Sequence, residues 1–375
     1  MVNAEADRRF MAAALGLARR GLGNVWPNPA VGCVLVKDGH VVGRGWTQPG
    51  GRPHAETEAL ARAGKAARGA TAYVTLEPCS HHGHTGPCAE ALIAAGVARV
   101  VVAIGDPDPR VAGQGLATLR KAGIAAELGL LAEQAAAINR GYLIRAEAGQ
   151  PMVTLKLATT LDGRIAAHTG DSHWITGEPA RAAAHGLRAS HDAIAVGIGT
   201  AVTDDPSLTC RLPGMPVRPP IRIVFDTRLQ LPLTLDLIAT AREVPTWIVT
   251  LEAMMDLLPA ERIETFQSLG VEIIPVAARE TGRLSIAAAL TAFAERGLTR
   301  LLVEGGGRLA ASFIDEKLVD ALVIFRSGIV LGGDAIPAVA GLGLETIADA
   351  PGFRLVDSRQ IGEDRIESYV LAPAR

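Results

Sequence analysis

The chain has 375 residues, which exceeds the usual size of one domain and predicts two. Hydrophobic residues make up 49% of it and charged residues 20%, as in an ordinary soluble, well-packed protein. The net charge is −2 and aromatic residues make up only 4%, so the chain lacks the basic, base-stacking surface of a nucleic-acid binder. A small-molecule partner is therefore favoured over nucleic acid.

The first twenty or so residues predict an amphipathic helix and not a signal peptide, because they carry acidic residues and two arginine pairs and lack a long apolar run. No stretch of the sequence reaches the apolar length that crosses a bilayer. Four cysteines in a chain of this length do not make a disulfide framework, which indicates a reduced, cytoplasmic protein whose thiolates are free to bind metal. We also expect a homo-oligomer.

The region 1–147 alternates strands and helices, which is the pattern of a layered α/β domain. Two strands over 31–37 and 40–46 are joined by Asp38-Gly39, a dipeptide typical of tight hairpins. The further elements expected in chain order are a helix over 55–67, a strand over 72–76, a loop rich in Cys, His and Gly, a helix over 87–95, a strand over 99–104, a helix over 115–122, a short strand and a helix ending near 148.

A polar stretch with Gly and Pro at 147–151 predicts a domain boundary, with one domain over 1–147 and a second over 148–375. About eight buried strands, most of them separated by helical patterns, predict a second α/β domain. The strand candidates are 152–158, 193–197, 221–225, 246–250, 272–276, 301–304, 321–325 and 367–371.

His54, Cys79 and Cys88 make a set of potential zinc ligands in the first domain. Three protein ligands leave one position open for water, whereas structural zinc sites usually have four protein ligands. On a helix Glu56 falls on the apolar face, and a carboxylate there is costly unless a nearby group needs it. The pattern favours a catalytic zinc site with Glu56 as the general acid and base. The alternative is a set of scattered core cysteines beside a surface histidine.

Three loop histidines, His81, His82 and His84, lie between the two cysteines. A loop beside a metal site could bind a substrate phosphate, but solvated loop histidines explain the pattern equally well, and both interpretations stay open.

In the second domain, residues 301–307 predict a strand that runs into glycines and then a helix over 308–314. Glycines without side chains let the backbone at a helix N-terminus approach a diphosphate closely. Glycine clusters after strands are, however, as often simple tight turns. After the strand 221–225, Thr227 and an arginine suit the 2′-phosphate of NADP, whereas the acid at Asp226 would favour NAD.

Two further patterns have a plain structural interpretation. Arg181, His185 and Arg188 share one helix face, and their spacing alone favours a solvated face. Asp204 and Asp205 precede a proline and predict a turn or a helix cap, with cofactor binding or protonation as the alternative for Asp204.

The motifs His54-Ala-Glu56 and Pro78-Cys79 resemble those of the cytidine deaminase superfamily, whose usual second motif is Pro-Cys-x-x-Cys. The longer spacing between Cys79 and Cys88, with the segment 27–34 (Pro-Asn-Pro-Ala-Val-Gly-Cys-Val), resembles one branch in particular, the bifunctional riboflavin-biosynthesis deaminase–reductases. The segments 156–164, 172–176, 200–209 and 303–307 are similar to the reductase half of that family.

The resemblance implies a cytidine-deaminase-like three-layer domain followed by a dihydrofolate-reductase-like α/β domain, with Zn²⁺ and NADPH as cofactors. It implies a pyrimidine ribosyl phosphate substrate: hydrolytic deamination of 2,5-diamino-6-ribosylamino-4(3H)-pyrimidinone 5′-phosphate, then reduction to 5-amino-6-ribitylaminouracil 5′-phosphate. The alternatives are a nucleotide deaminase with a regulatory nucleotide-binding domain and, less favoured by the composition, a deaminase that edits nucleic acids.

Residue by residue, the resemblance implies one substrate contact in the first domain, at Asn28, which would help to hold the pyrimidine. The cofactor contacts that it implies are Ala158, Trp174, Thr200, Asp204, Thr227, Gly306 and Gly307, the last two within the stretch 306–312. The substrate contacts that it implies in the second domain are Ser172, Arg188, Ser207, Arg211 and Glu304. Of these, the two arginines are the expected phosphate ligands.

Overall fold

Residues 4–80, 86–109, 111–212 and 218–372 are described by this computed structural model. They divide into two units, and the division falls between Gly149 and Gln150. Each unit has buried apolar clusters of its own. None of the helices in these residues combines the length and the apolar character that a membrane span requires.

A mixed five-stranded sheet forms the centre of the first unit, in the order β2-β1-β3-β4-β5. The strands are β1 (Gly32–Lys37), β2 (His40–Trp46), β3 (Thr71–Val74), β4 (Arg99–Val102) and β5 (Ala125–Leu128). β1 is antiparallel to β2 and β3, whereas β3, β4 and β5 run parallel. The predicted hairpin is confirmed, since Asp38 and Gly39 between β1 and β2 both have positive φ, as its tight turn requires.

Helices cover both faces of this sheet. They are α1 (Ala4–Ala18), α2 (Ala55–Ala63), α3 (Cys88–Ala94), α4 (Gln114–Lys121) and α5 (Ala132–Ala148). Alternate side chains of β1 enter different cores: Leu35 packs in the cluster with α2, α3 and α4, whereas Val34 packs in the cluster with α1 and α5. The predicted three-layer arrangement is therefore confirmed.

A nine-stranded sheet forms the centre of the second unit, in the order β11-β10-β9-β8-β12-β6-β13-β16-β15. The strands of this unit are β6 (Met152–Thr159), β7 (Arg164–Ala166), β8 (Ala193–Gly197), β9 (Ile221–Phe225), β10 (Thr246–Leu251), β11 (Val271–Val276), β12 (Arg300–Gly305), β13 (Ala321–Arg326), β14 (Ile336–Pro337), β15 (Phe353–Ile361) and β16 (Asp364–Leu371). The sheet is parallel from β11 to β13, and β16 and β15 extend it as an antiparallel ribbon.

Helices also cover both faces of the parallel part. They are α6 (Glu178–Ala189), α7 (Ile198–Asp204), α8 (Asp236–Ala239), α9 (Ala253–Leu257), α10 (Ala260–Ser268), α11 (Ile286–Glu295) and α12 (Gly307–Asp315). Phe225 of β9 packs edge-on against Phe293 of α11 and Phe313 of α12, whereas its neighbour Val224 packs in the cluster that contains Phe266 of α10. Because neighbouring strand residues face opposite ways, these helices form separate layers.

The eight strands expected in this unit are all present, but the expected number was too low, because β7, β14 and β15 had not been predicted. Seven of the nine residues of β15 are exposed, so its sequence lacks the alternation that reveals a half-buried strand. β7 and β14 have only three and two residues, and they pair with each other outside the main sheet.

Candidate active sites

The first candidate site lies where α2 and α3 begin. His54 is the residue before α2, Cys88 is the first residue of α3, and Cys79 lies in the loop that follows β3. Nδ1 of His54 is 3.3 Å from Sγ of Cys88 and 3.6 Å from Sγ of Cys79, and the three ligand atoms lie within 4.8 Å of one another. One imidazole and two thiolates at this spacing suit tetrahedral zinc with one position left for water.

The pKa shifts of the two cysteines are also consistent with a zinc site. A hydrogen bond with the Cys88 thiol, with further ones from His54 and the Cys88 backbone, lowers the pKa of Cys79 to about 4. The backbone N–H of Cys88 donates to Sγ of Cys79 at 3.3 Å. The bond with Cys79 and burial raise the pKa of Cys88 in turn, so one thiolate and one thiol share a proton that a divalent cation would displace.

Glu56 lies one residue into α2 and is buried, with 3% of its surface exposed, as its place on the apolar face predicted. Burial, followed by the charge of Cys79, raises the pKa of Glu56 to about 7. A carboxyl group with a pKa near neutrality can both accept and donate a proton at the working pH of most enzymes. The geometry thus places a proton carrier beside the potential metal ligands.

Asn28 reaches the same neighbourhood through the loop that precedes His54. A Cβ placed on Gly51 would lie 1.9 Å from Nδ2 of Asn28, so the amide lies directly against the backbone of this loop. Gly51 is required for that close approach, and it has a φ of +86°. The loop histidines His81, His82 and His84 lie outside the described residues.

Glu77 is a buried residue of this site that the sequence interpretation missed. Its carboxylate accepts the backbone N–H groups of Gly113 at 3.0 Å, Leu116 at 3.1 Å and Asp106 at 3.4 Å. Two of these donors belong to the beginning of α4, whose dipole favours a negative charge there. Glu77 therefore anchors the segment that carries Cys79, and an acid directly before the Pro-Cys pair was the available signal.

The second candidate site is built around an ion pair at the carboxyl end of β12. Nε and Nη2 of Arg188 donate to the two oxygens of Glu304 at 2.6 and 2.9 Å. Burial would raise the pKa of Glu304, but Arg188 and Lys156 outweigh it and hold the pKa below its usual range. The solvated face expected for the α6 residues is therefore wrong for Arg188, because it packs inward onto Glu304.

Lys156 of β6 completes this cluster, with Nζ 3.9 Å from Glu304, and the sequence interpretation did not single it out. Burial lowers the pKa of Lys156. A lysine within an otherwise apolar strand candidate was the signal that could have revealed it.

The segment 207–211 lies against the same ion pair. Nη1 of Arg188 donates to the carbonyl oxygen of Thr209 at 3.0 Å, and the hydroxyls of Ser207 and Thr209 are 3.3 Å apart. Arg211 is exposed. Four residues expected to contact substrate, Ser207, Arg211, Arg188 and Glu304, are thus connected through one short segment.

Gly306 and Thr200 come together at the carboxyl ends of β12 and β8, the edge of a parallel sheet where ligands usually bind. A Cβ at Gly306, whose φ is +70°, would lie 3.0 Å from Oγ1 of Thr200. Gly307 has a packing reason to be glycine, since a Cβ there would lie 2.6 Å from the carbonyl oxygen of Pro337. Bare backbone beside a hydroxyl at the start of α12 suits the phosphates of a dinucleotide.

The other expected contacts surround this edge less directly. Thr227 is exposed and follows β9, which is the parallel neighbour of β8. Ala158 is half-buried in β6 opposite Phe325 of β13. Ser172 is exposed, and Trp174 is 68% exposed with the Arg181 guanidinium 4.2 Å from its ring centroid.

The two acidic positions considered for the cofactor differ in the structure. Asp226 is buried and accepts the N–H of Leu231 at 2.7 Å, so it closes its own turn and is not presented to a ribose. Asp205 has a φ of 39° after α7 and accepts the N–H of Asp236, which matches the expected helix cap. Asp204, the last residue of α7, is exposed.

Two family descriptions match the chain. "Cytidine and deoxycytidylate deaminase zinc-binding region" matches residues 4–104, which include the cluster of His54, Cys79 and Cys88. "RibD C-terminal domain" matches residues 151–366, which include the ion pair of Arg188 and Glu304.

Curated relatives and solved structures match nearly the whole chain. The riboflavin biosynthesis protein RibD of Bacillus amyloliquefaciens is 43% identical over 96% of this chain and 94% of that protein. RibD of Escherichia coli strain K12 is 42% identical over 96% of this chain and 97% of that protein. The structure of Acinetobacter baumannii RibD, form 1, has a TM-score of 0.89 at 36% identity and covers 99% of this chain and 100% of its own. The deaminase/reductase of Thermotoga maritima has a TM-score of 0.85 at 33% identity and covers 98% and 99%.

Proposed function

Since this chain belongs to the RibD family of bifunctional riboflavin-biosynthesis enzymes, we propose that residues 1–147 carry its deaminase activity and residues 148–375 its reductase activity. The chain is a zinc-dependent deaminase and an NADPH-dependent reductase. Its substrate is 2,5-diamino-6-ribosylamino-4(3H)-pyrimidinone 5′-phosphate, which is deaminated and then reduced to 5-amino-6-ribitylaminouracil 5′-phosphate.

We assign His54, Cys79 and Cys88 as the zinc ligands and Glu56 as the catalytic acid and base of the deamination. When bound, zinc supplies the Lewis acidity that makes water a nucleophile near neutral pH. Glu56 takes one proton from the attacking water and delivers it to the ring nitrogen, and it then takes the second proton from the new hydroxyl group and delivers it to the departing amine. A C–O bond forms, the C–N bond breaks and ammonia leaves, while Asn28 orients the pyrimidine.

In the second domain, Thr200 and Gly306 at the sheet edge would hold NADPH, with Trp174, Ala158, Asp204, Thr227 and Gly307 as its further contacts. When bound, NADPH supplies the hydride that reduces C1′ of the opened ribose. Ser172, Ser207, Arg188, Arg211 and Glu304 orient the substrate. Because Arg188 is neutralised by Glu304, the exposed Arg211 is the cation directed to the 5′-phosphate.

The observation that supports the deaminase assignment best is the buried Glu56. Its carboxyl group lies beside three potential metal ligands, and its pKa is raised to about 7. In Glu56→Gln, we expect ammonia release to fall by roughly 10²- to 10⁴-fold, because the amide cannot carry the proton. NADPH oxidation started from the diaminopyrimidinone should fall equally, and oxidation started from the deaminated compound should stay unchanged.

Ammonia release and absorbance at the nicotinamide band measure the two steps in one reaction. Glu58→Gln on the same helix is the matched control, and zinc content should be the same in both variants. Undiminished NADPH oxidation from the diaminopyrimidinone in Glu56→Gln would show that reduction does not wait for deamination. Ammonia release without any NADPH oxidation in the wild type would instead fit a nucleotide-binding domain with a regulatory role.

We also propose a cytoplasmic homo-oligomer. The cysteines described in the structure are unpaired, which suits a reducing compartment. Three large apolar side chains, Leu355, Val356 and Leu371, are exposed on the ribbon of β15 and β16, and a second copy of the chain would cover them. Sedimentation equilibrium measures the mass of the particle in solution.

A further inference from the structure

Helix α6 holds three consecutive residues of the segment 207–211. Nη1 of Arg188 donates to the carbonyl oxygen of Thr209 at 3.0 Å, and the Cys210 thiol donates to the carbonyl oxygen of His185 at 3.3 Å. The backbone N–H of Arg211 donates to Nδ1 of His185, also at 3.3 Å. His185 therefore makes two of these three contacts, although its position in the sequence had suggested a solvated face.

The contact with Arg211 requires a neutral imidazole with its proton on Nε2, because Nδ1 accepts the hydrogen bond from the Arg211 N–H and carries no proton of its own. The charged groups that act on the ring come from each element packed against it: Arg188 on α6, Arg211 on the segment, and Glu304 at the end of β12. The Cys210 thiol contacts the backbone carbonyl of His185 and not its ring. Burial, followed by the two arginines, lowers the pKa of His185, so the accepting form prevails at neutral pH.

The two arginines of the site differ in what they can still bind. Three of the five N–H groups of Arg188 already donate, to Glu304 and to Thr209, and Glu304 balances its charge. Arg211 is exposed, and no described residue forms an ion pair with it. The position of its backbone is fixed by His185.

We propose that His185 is a positioning residue for the reduction step, which holds the backbone of Arg211 so that its guanidinium meets the substrate phosphate. The proposal rests on the substrate contact assigned above to Arg211. His185 itself touches neither substrate nor cofactor in this arrangement, and its effect passes through the segment.

The test compares two variants of the full chain, His185→Leu and His185→Asn, in reduction of the purified deaminated substrate at saturating NADPH. Leucine removes the acceptor, whereas Oδ1 of asparagine takes the place of Nδ1 and restores it. Loss of one hydrogen bond predicts a KM about 3- to 10-fold higher in His185→Leu. We expect kcat to stay within about twofold, and KM of His185→Asn to stay within about twofold of the wild-type value.

The dependence of KM on pH separates positioning from plain structural support. As pH falls through the lowered pKa of His185, the imidazole gains a proton on Nδ1, can no longer accept the N–H of Arg211 and repels both arginines, so KM of the wild type should rise. His185→Asn should lack this additional rise. Titration of the substrate phosphate is common to both proteins, so the difference between the two profiles isolates the imidazole.

Ala182→Leu, an exposed position on the same helix, is the control and should leave KM unchanged. Far-UV circular dichroism and urea unfolding report that the second unit of each variant is folded. The proposal is overturned if His185→Asn is as impaired as His185→Leu, or if wild type and His185→Asn share one pH profile. Arg211→Ala shows which assumption is wrong if the test fails. An unchanged KM in Arg211→Ala would mean that Arg211 does not contact the substrate. If KM is raised in Arg211→Ala but unchanged in His185→Leu, Arg211 contacts the substrate and His185 does not position it.

Discussion

At the scale of single residues, Glu77 connects the segment of a proposed metal ligand to the distant helix α4. Its carboxylate holds backbone N–H groups at the start of α4 and in the preceding loop. Cys79 follows it by two positions, so any movement of the Glu77 backbone moves a proposed zinc ligand. The accuracy of the metal site thus depends on a group outside the ligand set, as is common for metal centres.

Glu77→Gln should loosen this anchor, because the amide NH₂ group cannot accept the N–H groups that the carboxylate oxygens accept. We expect zinc to be lost to a chelator roughly 10- to 100-fold faster than from the wild type, with reduction of the deaminated substrate unchanged. Zinc release is followed with a colorimetric indicator. Glu90→Gln, at an exposed position of α3, is the control. Equal release rates in wild type and Glu77→Gln would contradict the anchoring role.

The residues differ in how well the sequence predicts them, and the reason is physical. Glu56 was predicted to be buried because its helix has a periodic apolar face, which is a local pattern. Local signals could have singled out Glu77 and Lys156, but their partners are far away in the chain, and no local pattern predicts which residues they contact. For Asp226 the local pattern suggested a function that the structure does not support. An acid after a strand is typical of a ribose ligand, but the Asp226 carboxylate accepts the N–H of Leu231 in its own turn.

At the scale of elements, His191 connects α6 to the centre of the second sheet. Nδ1 donates to the carbonyl oxygen of Leu187 in α6 at 2.7 Å, and Nε2 accepts from the hydroxyl of Thr154 in β6 at 2.9 Å. Both ring nitrogens are used, and the ring is buried. Burial, followed by the charge of Arg300, lowers the pKa of His191 to about 3.

The stability of the second domain should therefore depend on pH. Between the unfolded pKa of about 6.5 and the folded pKa of about 3, the unfolded chain binds a proton that the folded one does not, so stability falls as pH falls below 6.5. From pH 7 to pH 5 this one residue should cost about 2 kcal/mol. His191→Asn should lack this part of the loss.

Urea unfolding at several pH values measures the difference between the two proteins. Other groups titrate equally in both, so only the difference between the two free energies of unfolding is informative. If the two free energies fell in parallel from pH 7 to pH 5, another group would be responsible.

The elements that the sequence predicted best are those buried on both faces, such as β8 and β9, whose bounds agree with the prediction. Continuous apolar runs between helical patterns identify such strands. β15 was missed because nearly all its residues face solvent, and only the pairing with β16 makes it a strand. A strand that is exposed on both faces lacks the apolar pattern by which a buried strand is recognised in a sequence.

At the scale of the whole molecule, the exposed ribbon of β15 and β16 gives the proposed oligomer a definite test. Replacing Leu355 and Val356 by glutamate places two charges where a second copy would bury apolar surface, so the double variant should sediment as a monomer. The wild type should sediment at a multiple of the 39.0 kDa chain mass. A monomeric wild type at micromolar concentration would refute the oligomer, and an oligomeric double variant would place its interface elsewhere.

The chain passes from one unit to the other between Gly149 and Gln150, and each unit has its own core. Because a single polypeptide carries both, every round of translation yields one deaminase and one reductase. The ratio of the two activities in a cell is therefore set by their turnover numbers and not by gene expression. A cell can raise or lower the amount of this protein without changing how much deaminated intermediate awaits each reductase site.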